Sequence, residues 1–276
     1  EKLQIARRYL VGRQIDQNGL KQGQIELSDP ALVALIRDYT REAGVRSLER
    51  QIAAVCRRAA VNIAEGTQSA MRVEESDLTG ILGPSKFDNE VALRTGLAGV
   101  ATGLAWTPVG GDILFVEASR TSGDGKLILT GQLGEVMKES AQAALTLVKT
   151  HAGSLGIDGD CFEKCSVHVH VPAGAIPKDG PSAGVAMFVA LASLFTDRPV
   201  RNDTAMTGEI SLRGLVLPVG GIKDKVLAAM RAGIERVMLP ARNRRDLEEV
   251  PEEAKKRLEF VFLENVEDAV RHAIAR

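Results

Sequence analysis

The sequence predicts a mixed α/β protein, of the α+β type, in two parts. The chain has 276 residues, which is enough for about two domains of ordinary size. Up to about residue 80 the apolar residues recur at helical spacing, whereas beyond Gly83-Pro84-Ser85 short apolar runs of strand length alternate with helical stretches. We therefore expect an all-α domain at 1–82, a linker at 83–93, and a second domain of mixed sheets and helices at 94–276.

The all-α part is expected to contain helices that end near three glycines, Gly19, Gly44 and Gly66. Asp29 is predicted to cap the second helix, with Pro30 at its first position, and Ser47 to cap the third. A short strand at Met71–Val73 and a small helix around Leu78 follow. The apolar stripes that indicate the three helices are Leu3, Ala6, Leu10 and Val11; Leu32, Leu35, Ile36 and Tyr39; and Leu48, Ile52, Val55, Cys56 and Ala59.

The second part is predicted to alternate strands with helices. An amphipathic helix is expected at Glu135–Thr150, a buried and almost wholly apolar helix at Ser182–Leu194, and a closing helix at Val266–Ile274. Another helix begins after Gly220-Gly221 and stops at Gly233. The predicted strands are Val100–Trp106, Ile113–Ala118, Lys126–Thr130, Cys165–Val171, Asp203–Met206, Ser211–Leu217, Arg236–Leu239 and Phe260–Leu263.

Composition and charge exclude several classes of protein. The net charge of −1 gives the whole chain no electrostatic footprint for nucleic acid. Glycine, proline or charge interrupts every apolar run before transmembrane length, so no membrane partner is expected. The chain begins at Glu1 without a basic and apolar leader, so we expect no signal peptide and a piece of a longer polypeptide. Three cysteines, an odd and low number, indicate a reducing compartment rather than a disulfide scaffold.

Four possible zinc ligands lie close together in the sequence: Cys161, Cys165, His168 and His170. Their spacing is not that of a zinc finger. The two histidines also alternate with valines, which is typical of a strand with both imidazoles on its solvent face. We therefore predict no metal site, with zinc at this cluster as the alternative.

Ser182 lies where a loop rich in glycine and proline passes into the predicted buried helix. Backbone N–H groups at a helix start are unpaired and can bind an anion, including the oxyanion of an acyl-transfer intermediate. A serine at this position is therefore a candidate nucleophile beside its own oxyanion hole. The structural alternative is a capping serine, which is common at helix starts.

Lys225 lies on the apolar stripe of the helix that follows Gly220-Gly221, a stripe formed by Ile222, Val226 and Ala229. Burial disfavours the charged ammonium, as does the positive end of the helix dipole, so both should lower the pKa of this lysine. Lys225 is therefore a candidate general base. The alternative is a lysine whose stem packs on the core while its ammonium reaches water.

A histidine-based mechanism fits the same segment poorly. Gly180–Gly184 matches the G-x-S-x-G nucleophile elbow of the α/β-hydrolases, but that motif needs a strand leading directly into its first glycine. Here Pro172 and Pro177 intervene, and the downstream histidine is His272, on a charged terminal helix. Serine with lysine is a known nucleophile-and-base pair, so Lys225 is the base that we favour.

Several stretches resemble the signatures of the Lon protease family, and the similarity extends over nearly the whole chain. The most specific stretches are Pro177–Gly184, Thr207–Ile210 and Pro218–Lys225, with further similarity at Gly103–Thr107, Leu129–Gly134 and Met137–Ser140. The resemblance implies a Lon-type proteolytic domain in which Ser182 is the nucleophile and Lys225 the general base. It further implies that Thr207 holds the lysine amine by a hydrogen bond.

The resemblance also assigns supporting residues. Asp179 and Gly180 would belong to the loop that forms or blocks the oxyanion hole. Glu117 and Trp106 would line the substrate groove.

The N-terminal part is similar to the small helical lid subdomain of the AAA+ ATPase module of this family. Gly44-Val45-Arg46 resembles the sensor-2 segment, in which Arg46 would reach the nucleotide phosphates. The chain has no G-x-x-x-x-G-K-[ST] phosphate loop; Gly123–Lys126 comes nearest and fails at Arg120 and Leu127. We therefore expect no cofactor in this chain, with ATP and Mg acting through a nucleotide-binding subdomain outside it.

These similarities imply a serine endopeptidase that cleaves unfolded or damaged proteins, depends on ATP in the full-length protein, and forms a homo-oligomer, a hexameric ring. The expected location is the cytoplasm, with the mitochondrial matrix as the alternative. The competing hypothesis is a catalytically idle module for assembly or nucleic-acid binding. DNA is not indicated by the net charge, but Arg242, Arg244 and Arg245 could form a local basic patch.

Overall fold

The computed structural model describes residues 2–40, 42, 44–85, 97–107, 110–172 and 178–275. The chain divides into two compact units, 1–89 and 90–276. Most of the predicted linker, residues 86–93, and Pro177 of the loop before Ser182 lie outside the described residues. Within the described residues, no helix is both long and apolar enough to cross a membrane.

The first unit is helical, as predicted, and adds one small parallel sheet. Its strands are β1 (Ile25–Leu27) and β2 (Met71–Val73). The sequence indicated β2 but not β1. The helical segments are α1 (Lys2–Ile5), a π-helical turn (Ala6–Leu10), α2 (Val11–Gln17), α3 (Asp29–Asp38), α4 (Arg46–Ala64), a 3₁₀ turn (Glu75–Asp77) and α5 (Leu78–Leu82).

The predicted cap of α3 is wrong by one residue. The Ser28 hydroxyl accepts a hydrogen bond from the Ala31 N–H at 3.3 Å. Ser28 has the extended backbone that a cap requires, whereas Asp29 is already helical and Pro30 occupies the second position. The helix also ends at Asp38, earlier than the predicted end near Gly44.

The predicted cap of α4 is also wrong. The helix begins at Arg46, one residue before Ser47. Glu42 supplies the cap, since its carboxylate accepts the N–H groups of Ser47 and Leu48, both at 2.7 Å. A glutamate side chain is long enough to reach the helix start from the preceding loop, which a search for short capping residues overlooks.

The second unit is built on a mixed sheet with the strand order β11-β10-β7-β3-β4-β6-β5 in the described residues. β11, β10, β7 and β3 are parallel, β4 is antiparallel to both neighbours, and β5 is parallel to β6. The strands are β3 (Val100–Thr107), β4 (Gly110–Ser122), β5 (Leu127–Thr130), β6 (Cys165–His170), β7 (Thr204–Met206), β10 (Arg236–Pro240) and β11 (Glu259–Leu263).

Helices cover both faces of this sheet, which confirms the layered fold. The larger core contains α6 (Glu135–Thr150), α9 (Gly184–Thr196), which is buried up to Phe195, and the closing helix α12 (Val266–Ala273). The smaller core, on the opposite face, contains α10 (Ile222–Arg231) and α11 (Glu252–Arg257). Two short helices, α7 (Ala152–Leu155) and α8 (Cys161–Lys164), lead into β6.

The second unit differs from the sequence-based prediction in two regions, besides the short helices α7, α8 and α11, which the sequence did not indicate. The predicted strand Ser211–Leu217 is a tight hairpin of β8 (Glu209–Ile210) and β9 (Val216–Leu217), because the chain turns at Gly214, whose φ is +82°. The 3₁₀ segment Ala241–Glu249 was not predicted, since it is too rich in charge to show an apolar period.

Candidate active site

A cavity of about 480 Å³ in the second unit brings the two main candidates together. Ser182 and Lys225 both line it, as do Trp106 and Asp179. Its walls come from the loop before α9 and from the loop Pro218–Gly221 before α10. Elements on opposite faces of the sheet therefore contribute the serine and the lysine.

Ser182 lies in the 3₁₀ turn Pro181–Ala183 that precedes α9, one residue beyond Pro181. Gly180 precedes the turn as its cap, and its φ of +124° is a conformation that glycine tolerates without strain. The Ser182 carbonyl is held from two directions: it accepts the Gly208 N–H at 2.9 Å and the Thr207 hydroxyl at 3.1 Å. The serine backbone is thus fixed while its side chain lines the cavity.

Lys225 is only 2% exposed, on the first turn of α10. Burial lowers its pKa from the ordinary value of 10.5 to about 8, which confirms the predicted burial and direction. The alternative, an ammonium that reaches water, is wrong. A lysine with this pKa is partly neutral near pH 8 and can accept a proton.

Thr207 connects the lysine to the serine. The Lys225 Nζ donates to the Thr207 Oγ1 at 3.1 Å, and the same hydroxyl donates to the Ser182 carbonyl. The hydrogen bond that the family resemblance implied is therefore present. Among the described residues there is no direct hydrogen bond between the Ser182 Oγ and the Lys225 Nζ, although both groups face the same cavity.

Trp106 contacts the start of α10, the helix that carries Lys225. Its indole N–H donates to an Asp224 carboxylate oxygen at 3.2 Å. Its ring lies over Gly221, where an added Cβ would be 3.0 Å from the Trp106 Cδ1. The indole remains 58% exposed, so it also presents an apolar surface at the mouth of the cavity.

Two other predicted residues lie elsewhere. Glu117 is on β4, paired in register with His170, and does not line this cavity. Arg46 is an exposed residue at the start of α4 in the first unit. The roles assigned to both remain predictions.

Asn243 is a supporting residue that sequence reasoning missed. Its side chain is 3% exposed and makes two hydrogen bonds to the Val219 backbone, accepting its N–H at 3.0 Å and donating to its carbonyl at 2.9 Å. This two-point contact fixes the Pro218–Gly221 wall. Asn243 stands between arginines in a charged segment, and nothing in that pattern signals burial.

The cysteine and histidine cluster does not assemble into one site. His168 and His170 both contact the Thr130 hydroxyl, at 2.8 and 2.7 Å, on the less buried face of β6. Cys161 and Cys165 instead line a separate cavity of about 440 Å³. In the part of the chain that the structure describes, no three His, Cys, Asp or Glu side chains are arranged to hold a metal ion.

Two family models match the chain, and both describe domains of the same protein family. Residues 72–276 match the family model of the Lon protease (S16) C-terminal proteolytic domain, and residues 16–72 that of the Lon protease AAA+ ATPase lid domain. Similar relatives include the Lon protease of Methylocella silvestris, 65% identical over 273 residues, and that of Paraburkholderia phytofirmans, 64% identical over 274 residues. Each match covers 99% of this chain and 34% of the relative, so the chain spans about a third of the length of these curated relatives.

Proposed function

The chain belongs to the Lon protease family, and on that premise we propose that its second unit is a serine endopeptidase with Ser182 as nucleophile and Lys225 as general base. One observation carries the proposal: a lysine buried to 2% exposure lines the same cavity as a serine at a helix start. Burying a lone lysine is unfavourable, and functional sites are where such groups concentrate.

The proposed reaction begins with a proton transfer. The neutral Lys225 amine takes the Ser182 hydroxyl proton as the Oγ attacks a peptide carbonyl, and the resulting ammonium protonates the leaving amine. A water molecule then gives a proton to Lys225 as it attacks the acyl-enzyme, and the lysine passes that proton to the departing Ser182 Oγ, which restores both groups. Thr207 keeps the amine in place throughout, because its hydroxyl accepts from the Nζ. Serine and lysine meet directly once substrate fills the cavity, as catalytic hydrogen bonds often tighten only in the complex.

The developing oxyanion needs hydrogen-bond donors. Pro181 has no N–H, so the Ser182 N–H heads the 3₁₀ turn, where backbone donors have no intrahelical partner. A donor of this kind contributes about 3–4 kcal/mol to the transition state in a serine protease.

The cavity suggests the substrates, and membership of the family suggests the partners. The exposed indole of Trp106 at the cavity mouth suits the side chains of an extended polypeptide, so we infer unfolded or damaged proteins as substrates.

We further propose that copies of the chain form a hexameric ring in the cytoplasm. In the full-length protein, ATP and Mg would act through a nucleotide-binding subdomain, with Arg46 reaching the phosphates.

A nucleic-acid-binding role is not favoured by the proposed basic patch. The Arg244 guanidinium stacks on the Phe262 ring at 3.9 Å, and Arg245 pairs with Asp246 at 3.6 Å. Two of the three arginines therefore have protein partners.

A fluorophosphonate probe and casein degradation without ATP test the proposal. We expect covalent labelling at Ser182 and slow casein cleavage, both lost in Ser182→Ala. Lys225→Arg should also lose both, because a guanidinium stays protonated and cannot act as a base. Wild-type labelling in Lys225→Arg would exclude the lysine as base, and a chain without any adduct at Ser182 would support the idle module.

A further inference from the structure

The N-terminus of α6 has no cap of its own. Its cap position is Gly134, which has no side-chain oxygen. The Asp179 carboxylate takes this place from a distant part of the sequence, accepting the Met137 N–H at 3.1 Å with its Oδ1. The same oxygen accepts the Gly180 N–H at 2.9 Å. One carboxylate oxygen thus ties the helix start to the loop that carries the nucleophile.

Backbone hydrogen bonds also join Lys178, beside Asp179, to the segment before α6. The Gly134 N–H donates to the Lys178 carbonyl at 2.7 Å, and the Lys178 N–H donates to the Gln132 carbonyl at 3.1 Å. These bonds form one rung of parallel pairing between Leu133 and Lys178. We call the segment from Gln132 to Met137 the loop seat.

The loop seat has no room for a side chain at Gly134. An added Cβ there would lie 2.3 Å from the Asp179 Cγ and 2.6 Å from its Cβ. Because the Asp179 Cβ is included, rotation of the carboxylate alone could not relieve the contact. The seat and the aspartate therefore fit each other closely.

We propose that Asp179 is a positioning residue: its carboxylate, docked on the N-terminus of α6 against Gly134, fixes the Gly180–Ser182 backbone that presents the nucleophile to the cavity. The inference rests on the proposed function of Ser182. Asp179 acts through that backbone and touches neither the Lys225 amine nor Thr207 in the described contacts.

A double-mutant cycle between Gly134 and Asp179 tests the proposal in the 276-residue chain. The measured quantities are the rate of fluorophosphonate labelling at Ser182 and the kcat and KM for a casein-derived peptide. We expect Gly134→Ala and Asp179→Ala each to lower the labelling rate and kcat about 10- to 100-fold, with KM nearly unchanged, the cost of a small misplacement of a reacting group. The loss in the double variant should be smaller than the product of the two single losses, because both changes disrupt the same docking of Asp179 on the helix start.

Two further variants complete the test. Asp179→Asn keeps an acceptor oxygen and should restore most of the labelling rate. Glu139→Gln removes a charge from an exposed position of α6 beyond the loop seat and should label at the wild-type rate. Multiplicative losses in the double variant, or wild-type labelling in Asp179→Ala, would overturn the proposal.

Amide hydrogen exchange separates this inference from the proposed function. Exchange at Met137 and Gly180 should quicken in Asp179→Ala and stay slow in Asp179→Asn, whether or not Ser182 reacts. If the wild-type chain is not labelled at Ser182 but the exchange rates follow this pattern, the proposed function is wrong and the docking of Asp179 still holds. Unchanged exchange at Met137 and Gly180 in Asp179→Ala would show that the carboxylate does not dock on the loop seat.

Discussion

At the residue scale, Lys225 is the side chain that opposes folding most clearly. Its ammonium loses hydration on burial and has the Thr207 hydroxyl as its hydrogen-bond partner, with no carboxylate among the causes of its pKa shift. Below pH 8 the lysine is protonated in both the folded and the unfolded chain, so the folded state carries the full free-energy cost of burying the charge. Between pH 8 and 10.5 the unfolded chain binds more protons, so stability should rise with pH across that window.

Lys225→Met should therefore stabilise the protein. We expect the free energy of unfolding to increase by about 3 kcal/mol at pH 7, the equivalent of a pKa shift from 10.5 to about 8, and the gain to shrink towards pH 10.5. Urea unfolding at pH 7 and pH 10 measures both values. Lys223→Met, at an exposed position of the same helix, is the matched control and should have little effect. A gain that does not depend on pH would mean that the charge is not its source.

At the scale of the elements, α10 comes unusually close to β4. An added Cβ at Gly111 would lie 2.0 Å from the Asp224 carbonyl oxygen and 2.8 Å from the Lys225 nitrogen. Both atoms belong to the backbone, so no side-chain movement could make room. The absence of a side chain at Gly111 therefore allows the start of α10 to lie this close to β4.

Gly111→Ala should push the lysine helix away from the sheet. We expect a loss of about 1–3 kcal/mol in the free energy of unfolding, as for other overpacked sites, together with slower labelling of Ser182. Thermal unfolding and probe kinetics measure the two effects. Gly153→Ala, in a short helix with nothing within 4 Å of the added methyl, should be neutral or slightly stabilising. Equal behaviour of the two variants would contradict the steric argument.

The cap of α4 gives a second prediction at this scale. Glu42→Ala removes the acceptor for two N–H groups and should cost about 1 kcal/mol, whereas Ser47→Ala should change stability by less than about half of that. Circular dichroism during urea unfolding compares the two variants. A larger loss from Ser47→Ala would restore the serine as the cap.

At the scale of the whole molecule, each unit has its own hydrophobic core. The buried apolar residues of the first unit form one cluster, and those of the second unit form two others on either side of its sheet. Cooperative unfolding depends on a shared core, so separate cores allow separate transitions.

The chain should accordingly unfold in two steps. Trp106 is the sole tryptophan and lies in the second unit, so its fluorescence reports that unit alone. Glu42→Ala should shift the helical signal of the first unit and leave the fluorescence midpoint unchanged. A common shift of both signals would show that the units unfold together.

Local patterns predicted most of the fold and both main site residues. The stripe that buries Lys225, the apolar run of α9 and the bounds of α6 are repeats of near neighbours, which a sequence displays directly. The capping errors at Asp29 and Ser47 arose because short polar residues were ranked by type, while the backbone conformation and a longer glutamate decided the outcome.

The sequence by itself determined most of the elements, the family and the two residues that we propose as a serine–lysine pair. Tertiary structure alone decided the Asn243 contact with Val219, the close approach at Gly111 and the docking of Asp179 on α6. The physical reason is the distance along the chain between the residues that interact. Helices and strands follow from periodic neighbours, whereas these contacts join atoms that are distant in the chain and meet only after the sheet and its helices have packed.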